Sequence, residues 1–245
     1  MHKHMDIWQK SYASNSALYE KLIVHEDYRD QVFTTLKEIT PFEGQVVVEF
    51  GAGTGRLTRR LVTQAAYTHA FDLAPHMLLL ASEILNATGK SNWSLGVADN
   101  RAMPIQSKTA DVAIQGWSFG HSVGWYPDSW QAKIQAAIRE MARLTKEDGL
   151  LIMLETMGTG AQTATPPPPL IPYYAYLEEL GFQSTVVRTD YHFPSVELAS
   201  AAMTPYFGDG IISSAIQSDL PGVVVPECTG IWWRRSSARL ALDLG

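Results

Sequence analysis

One cysteine, Cys228, stands among 245 residues, which excludes an intramolecular disulfide framework and a cysteine-cluster metal site. No apolar run approaches the ~18 residues of a membrane-spanning helix. Met1-His2-Lys3-His4-Met5 leads into no apolar signal-peptide core, so a cytoplasmic protein without a membrane partner is expected. Positive charge is scarce: 19 Lys+Arg against 25 Asp+Glu leave a formal net charge of −6. Beyond Arg56, Arg59 and Arg60 there is no basic stripe, and nucleic acid is not an expected partner. The seven histidines are scattered, and no metal site is expected from them. What is plentiful is apolar. At 46% hydrophobic residues the chain can fill the core of one α/β unit.

The densest local signal is Val46-Val47-Val48-Glu49-Phe50-Gly51-Ala52-Gly53-Thr54-Gly55. A β-branched run suits a strand buried on both faces, and glycines let the backbone turn and approach a ligand with no Cβ in the way. Arg56 to Val62 has helical spacing, which places the glycines at a strand-to-helix junction, where open α/β folds hold ligands. A dinucleotide fingerprint, G-x-G-x-x-G, would need glycine at position 56, where this chain has Arg56. Glu49 would repel a pyrophosphate and suits a ligand carrying an ammonium group, such as S-adenosylmethionine.

The run from Glu49 to Gly55 matches the E/D-x-G-x-G-x-G signature of the class I S-adenosylmethionine-dependent methyltransferases, the family this chain resembles, in particular those similar to the ubiquinone/menaquinone-biosynthesis enzymes. The likeness continues downstream. Asp72 closes a short second strand, Tyr67 to Phe71, 21 residues after Gly51, where a doubly wound fold places a carboxylate for ribose hydroxyls; a helix N-cap is its other reading. Asp72-Leu73-Ala74-Pro75-His76-Met77-Leu78 follows the family's Asp-x-Ser-x-x-Met-Leu without the Ser, and Pro75 can open the helix instead. Met77 resembles an adenine-facing residue, although a Met at helical spacing also suits plain core.

A third strand, Asn92 to Val97, runs into Asp99-Asn100-Arg101-Ala102-Met103-Pro104-Ile105, similar to the family's G-D-A-x-x-L-P-F segment. The resemblance gives Asp99 the adenine amine; a solvated turn is the alternative. Ala110 to Trp117 reads as the fourth strand, with Ser118 to Ser122 as the loop at its carboxyl end. Trp130, Ile134, Ile138, Met141 and Leu144 mark a helix over Pro127 to Thr145. Arg143 to Ile152 is similar to the family's R-x-L-K-P-G-G-x-L-x-I link into a fifth strand, with Asp148 in place of one glycine. Pro172 to Leu180 is a helix stopped by Gly181, Phe182 to His192 a sixth strand, and Thr229 to Arg235 the last, antiparallel one.

The expected architecture is a Rossmann-like, doubly wound, seven-stranded α/β sheet, mostly parallel with an antiparallel last strand, plus an N-terminal helical cap. It forms one domain over 1–245: cap 1–44, cofactor-binding core 45–160, and substrate-side loops, helices and final strands 161–245. The resemblance implies S-adenosylmethionine as cofactor, S-adenosylhomocysteine as product and a small-molecule acceptor. Cofactor contacts fall on Glu49, Gly51, Ala52, Gly53, Thr54, Gly55, Asp72, Leu73, Met77, Asp99, Asn100 and Gln115. Trp8, Tyr12, Trp117, Phe119 and Tyr173 are candidates for the acceptor. His121 is the candidate general base, needed only if the acceptor must lose a proton. The alternatives are a catalytically silent S-adenosylmethionine-binding module or partner subunit and, with Arg56 and Glu49 against it, a nicotinamide oxidoreductase.

Overall fold

The computed structural model describes residues 15–237 together with Leu240 and Leu244. In chain order the elements are α1 (Ser16–Ile23), α2 (Gln31–Ile39), β1 (Val46–Phe50), α3 (Thr58–Leu61), β2 (Tyr67–Asp72), α4 (Pro75–Asn86), β3 (Trp93–Val97) and β4 (Ala110–Gly116). There follow α5 (His121–Trp125), α6 (Trp130–Leu144), β5 (Thr145–Thr159), α7 (Ile171–Glu179), β6 (Gln183–Arg188), β7 (Tyr191–Phe193), α8 (Val196–Phe207), β8 (Val223–Val225) and β9 (Glu227–Arg235). Seven strands make one sheet in the order β3-β2-β1-β4-β5-β9-β6, mostly parallel with one antiparallel strand, as the sequence predicts.

The chain divides into two compact units. The larger holds Pro41–Glu155, Pro168–Thr185 and Ile231–Gly245. At its centre β1 pairs in parallel with β2 on one side and β4 on the other, and Val47, Val48 and Phe50 are fully buried, as a β-branched run covered on both faces requires. Strand order reverses at β1 and β4, so the loops leaving their carboxyl ends diverge around a crevice. Pro75 opens α4, which buries Met77, Leu78, Ala81 and Leu85; α6 buries Ile134, Ala137, Ile138, Met141 and Leu144 on the expected stripe. Asp111 ties strand starts together: one carboxylate oxygen accepts the Val46 amide at 2.8 Å and the other the Lys146 ammonium at 2.8 Å. Asp148 takes φ +61°, a conformation that Asp tolerates better than most residues, in the place where the family pattern has glycine.

The smaller unit holds Met1–Thr40, Thr156–Pro167 and Val186–Gly230. Its core gathers Leu22 of α1, Tyr191 and Phe193 of β7, Ala199, Ala202, Met203 and Tyr206 of α8, and Val225 of β8. Strands β7 and β8 pair antiparallel as a separate two-stranded sheet. Two local expectations shift. The helix predicted from Arg56 is regular only over Thr58–Leu61, because Gly55, at φ +86°, still belongs to the turn. The strand predicted over Phe182 to His192 breaks into β6 and β7. Between them the Asp190 carboxylate takes the Arg188 guanidinium and the Glu227 amide, while the Thr189 hydroxyl shares a hydrogen bond with that of Thr229 at 2.8 Å. Side-chain acceptors here replace a continuous ladder.

Candidate cofactor and methyl-transfer site

Every residue of the site described below belongs to the larger unit. The turn after β1 is built from glycines at φ +68° (Gly51), +56° (Gly53) and +86° (Gly55). At Gly51 the absence of a side chain is required twice, by the positive φ and by space: a Cβ there would stand 2.6 Å from Ser118 Cβ. The turn after β1 and the loop after β4 therefore meet in direct contact.

Two carboxylates flank the turn. Glu49 is 2% exposed and accepts the Thr58 hydroxyl at 2.6 Å. Burial pushes its pKa up to about 8; the Thr58 hydrogen bond opposes that rise and the nearby charge of Asp72 adds to it. Asp72 accepts the Gly53 amide on one oxygen and the Ala74 amide on the other, each at 2.8 Å, so it stitches the glycine turn to the end of β2 and to the approach of α4. The N-cap of α4 is Ala74, with no side-chain cap hydrogen bond, so Asp72 is not the helix cap that the sequence also allowed. Burial raises its pKa, against the pull of those amides.

Around them, Ala52 is buried and donates its amide to the Phe71 carbonyl at 2.8 Å, and Thr54 is fully buried. Leu73, next to Asp72, is 66% exposed. Met77 lies fully in the core of α4. The buried Nε2 of His76 and Nε1 of Trp117 have no hydrogen-bond partner among the described residues. Asp99 is engaged by its neighbour: the Arg101 guanidinium and the Arg101 amide both reach its carboxylate, which lowers its pKa. Asn100 reaches across instead and donates to Ser118 Oγ at 3.0 Å.

The loop after β4 starts at Trp117, which sits at φ +53° with its amide on the Leu154 carbonyl (2.7 Å) and the Arg56 guanidinium 3.6 Å above its ring. Phe119 is buried edge-on against Phe50, and Tyr173 is fully buried with its hydroxyl donating to Met153 Sδ (3.7 Å). His121 opens α5, stacks on Trp125 at 5.0 Å and is held by desolvation at a pKa of about 4. Trp8 and Tyr12 lie outside the described residues.

One residue escaped the sequence reading. Glu155 is 3% exposed, and burial raises its pKa to about 7. Its signal was present: Leu150-Leu151-Ile152-Met153-Leu154-Glu155 repeats the pattern of Val46-Val47-Val48-Glu49, an apolar run closed by a carboxylate.

The seven-stranded sheet with its glycine turn is a Rossmann-like fold. Residues 47–149 match the methyltransferase domain family. A curated relative, an uncharacterized methyltransferase from Anoxybacillus flavithermus, is 26% identical over 149 residues, which span 61% of this chain and 64% of the relative, a little under two thirds of its length. Among solved structures, a SAM-dependent methyltransferase from Aquifex aeolicus shares the fold at TM-score 0.58 with 16% identity, covering 90% of this chain and 98% of that one. Phosphoethanolamine N-methyltransferase 1 from Haemonchus contortus, in complex with phosphoethanolamine and S-adenosylhomocysteine, shares it at TM-score 0.54 with 14% identity, covering 99% of this chain and 52% of that one.

Proposed function

We propose that the protein is an enzyme that transfers the methyl group of S-adenosylmethionine to a small-molecule acceptor by in-line displacement. The observation that carries this reading is the glycine turn of Gly51 to Gly55 bracketed by Glu49 and Asp72 and pressed against Ser118. The donor set suits this cofactor. Carboxylates recognise hydroxyls and an ammonium, the glycines leave room for a close backbone approach, and the buried Trp117 Nε1–H has no acceptor among the described residues. The neighbour from Haemonchus contortus, crystallised with S-adenosylhomocysteine, supports the same choice.

In this reading Asp72 holds the ribose hydroxyls with the lone pairs its two amide donors leave over, Glu49 faces the ammonium, and the exposed Leu73 gives the adenine an apolar surface. When bound, the cofactor supplies an electrophilic methyl group on a sulfonium. The residues after β4 orient the acceptor and exclude water, and orientation alone supplies a large part of such a rate. His121, neutral at pH 7, serves as a hydrogen-bonding partner; it is a weak base for an acceptor that must lose a proton. The acidic chain, with no basic stripe, favours a small acceptor over nucleic acid.

The test has two arms. S-adenosylhomocysteine should raise the melting temperature, by a free energy of ~2.7 kcal/mol at 100 times its dissociation constant, while NAD should not; the opposite ranking defeats the assignment. Radiolabelled methyl from S-adenosylmethionine should then enter the low-molecular-weight fraction of a metabolite extract. Label in RNA or protein would move the acceptor to a macromolecule. Binding without transfer would favour the silent module.

A further inference from the structure

Three consecutive backbone amides in the loop after β4 have side-chain acceptors, and two residues supply all of them. Gln115 Oε1 accepts the amides of Ser118 at 3.0 Å and Phe119 at 3.4 Å. Glu155 Oε1 accepts the amide of Gly120 at 3.0 Å and the Gln115 Nε2 donor at 3.0 Å. Only one orientation of the Gln115 amide satisfies this arrangement, since its oxygen must face two N–H groups and its nitrogen a carboxylate. Space is limiting at Gly120 as well: a Cβ there would lie 2.8 Å from Glu155 Oε2.

We propose that Gln115 and Glu155 are a positioning pair that clamps the amides of Ser118, Phe119 and Gly120 and so holds this loop against Gly51 in the form that receives the cofactor. The inference rests on the methyltransferase reading above for the identity of that ligand. Three features support it. The loop begins with a bulky residue at positive φ, a strained conformation that persists only where its surroundings over-determine it. Its next residue, Ser118, packs on Gly51 and accepts from Asn100, so the clamp acts on a segment that touches the glycine turn. A buried carboxylate whose named partners are neutral donors is a costly way to satisfy one backbone amide and one side-chain amide, and an apolar residue at the end of β5 would pack with less desolvation.

Amide hydrogen exchange at residues 118–120, normalised to the β1 amides, reads the clamp; calorimetric affinity for S-adenosylhomocysteine reads its consequence. Glu155→Gln, which keeps an acceptor oxygen for the Gly120 and Gln115 amides, should retain protection at 118–120 and bind within about threefold of wild type. Glu155→Ala should lose about 10-fold or more in protection and in affinity. Should Glu155→Ala fail to fold, Gln115→Met, which removes the acceptor of the Ser118 and Phe119 amides, should lose protection at those two amides and affinity with it. Wild-type protection and affinity in Glu155→Ala or Gln115→Met overturns the proposal, as does a loss in Glu155→Gln as large as that in Glu155→Ala. A wild type that clamps residues 118–120 as expected yet binds no S-adenosylhomocysteine rejects the methyltransferase reading and leaves the clamp standing.

Discussion

Glu49 and Glu155 end two strands of the same sheet in the same way, each a carboxylate after an apolar run, 2% and 3% exposed, each pushed up in pKa by burial. Their neighbours separate them. Glu49 has one hydroxyl donor, Thr58, and feels a second carboxylate, Asp72, so its charge is disfavoured until a cation arrives to favour it. Glu155 meets neutral donors, the Gly120 amide and the Gln115 side chain, and it orders backbone. Burial alone therefore does not distinguish a ligand-facing carboxylate from a positioning one; what else occupies the pocket does.

The most severe way to break this comparison is Gly51→Val, which strikes both regions at once. The new side chain would meet Ser118 and would sit at φ +68°, so overpacking and backbone strain together should cost about 3 kcal/mol or more of unfolding free energy and abolish S-adenosylhomocysteine binding. Urea denaturation and calorimetry measure the two losses. Next is Asp72→Ala, which frees the amides of Gly53 and Ala74. Affinity for S-adenosylhomocysteine should fall about 100-fold, with a loss of stability of about 1–3 kcal/mol. An unchanged affinity would leave Asp72 only its hold on the Gly53 and Ala74 amides.

A sharper separation comes from protons. Both glutamates titrate higher in the folded protein, at about 8 and about 7, than the 4.5 of a free side chain. The folded state thus holds protons that the unfolded chain has released. Their contribution to stability is greatest below about pH 4.5 and declines as pH rises through 7 for Glu155 and 8 for Glu49, by at most ~1.4 kcal/mol per pH unit for each. Glu155→Gln and Glu49→Gln should each remove one share of that slope in denaturation series between about pH 5 and pH 9. Ligand binding tells them apart. An ammonium beside Glu49 favours its ionised form, so S-adenosylmethionine binding at pH 7 should release about one proton, seen by calorimetry in buffers of different ionisation enthalpy. The release should vanish in Glu49→Gln and survive in Glu155→Gln.

How far this site could be read from sequence follows from the range of its contacts. β1, β2, β4 and α6 were legible because runs of Val and Ile and a stripe of period 3.6 depend only on near neighbours. Glu49 and the glycines were placed by spacing along one strand-turn-helix unit, and Asp72 by its place at the end of the next strand. The break at Thr189 and Asp190 was not legible, because it depends on Glu227 and Thr229, some forty residues away. Glu155 was missed for the same reason: its role is set by Gln115 and Gly120, 40 and 35 residues upstream. At Asp99 the pairing is local instead: Arg101, two residues on, reaches its carboxylate.

The smallest effect is expected at His121, the residue that the sequence nominated for chemistry. Its surroundings favour the neutral ring, with a folded pKa of about 4 against an ordinary 6.5, so it runs opposite to the two glutamates. Its contribution to stability is complete above pH 6.5 and is lost as pH falls toward 4, which partly offsets their slope in that window and leaves the decline steepest above about pH 6.5. His121→Gln should therefore make the acid side of the stability profile fall more steeply with rising pH, while S-adenosylhomocysteine affinity at pH 7 stays within about twofold. Near neutral pH the ring carries no proton to give and has little affinity for one to take. Once an acceptor is in hand, single-turnover rates of His121→Gln should fall by less than tenfold, against the ~10²–10⁴ of a positioned base, with the pH profile unchanged between pH 6 and pH 9. A larger loss accompanied by a shifted profile would make His121 the base and show that a bound acceptor raises its pKa.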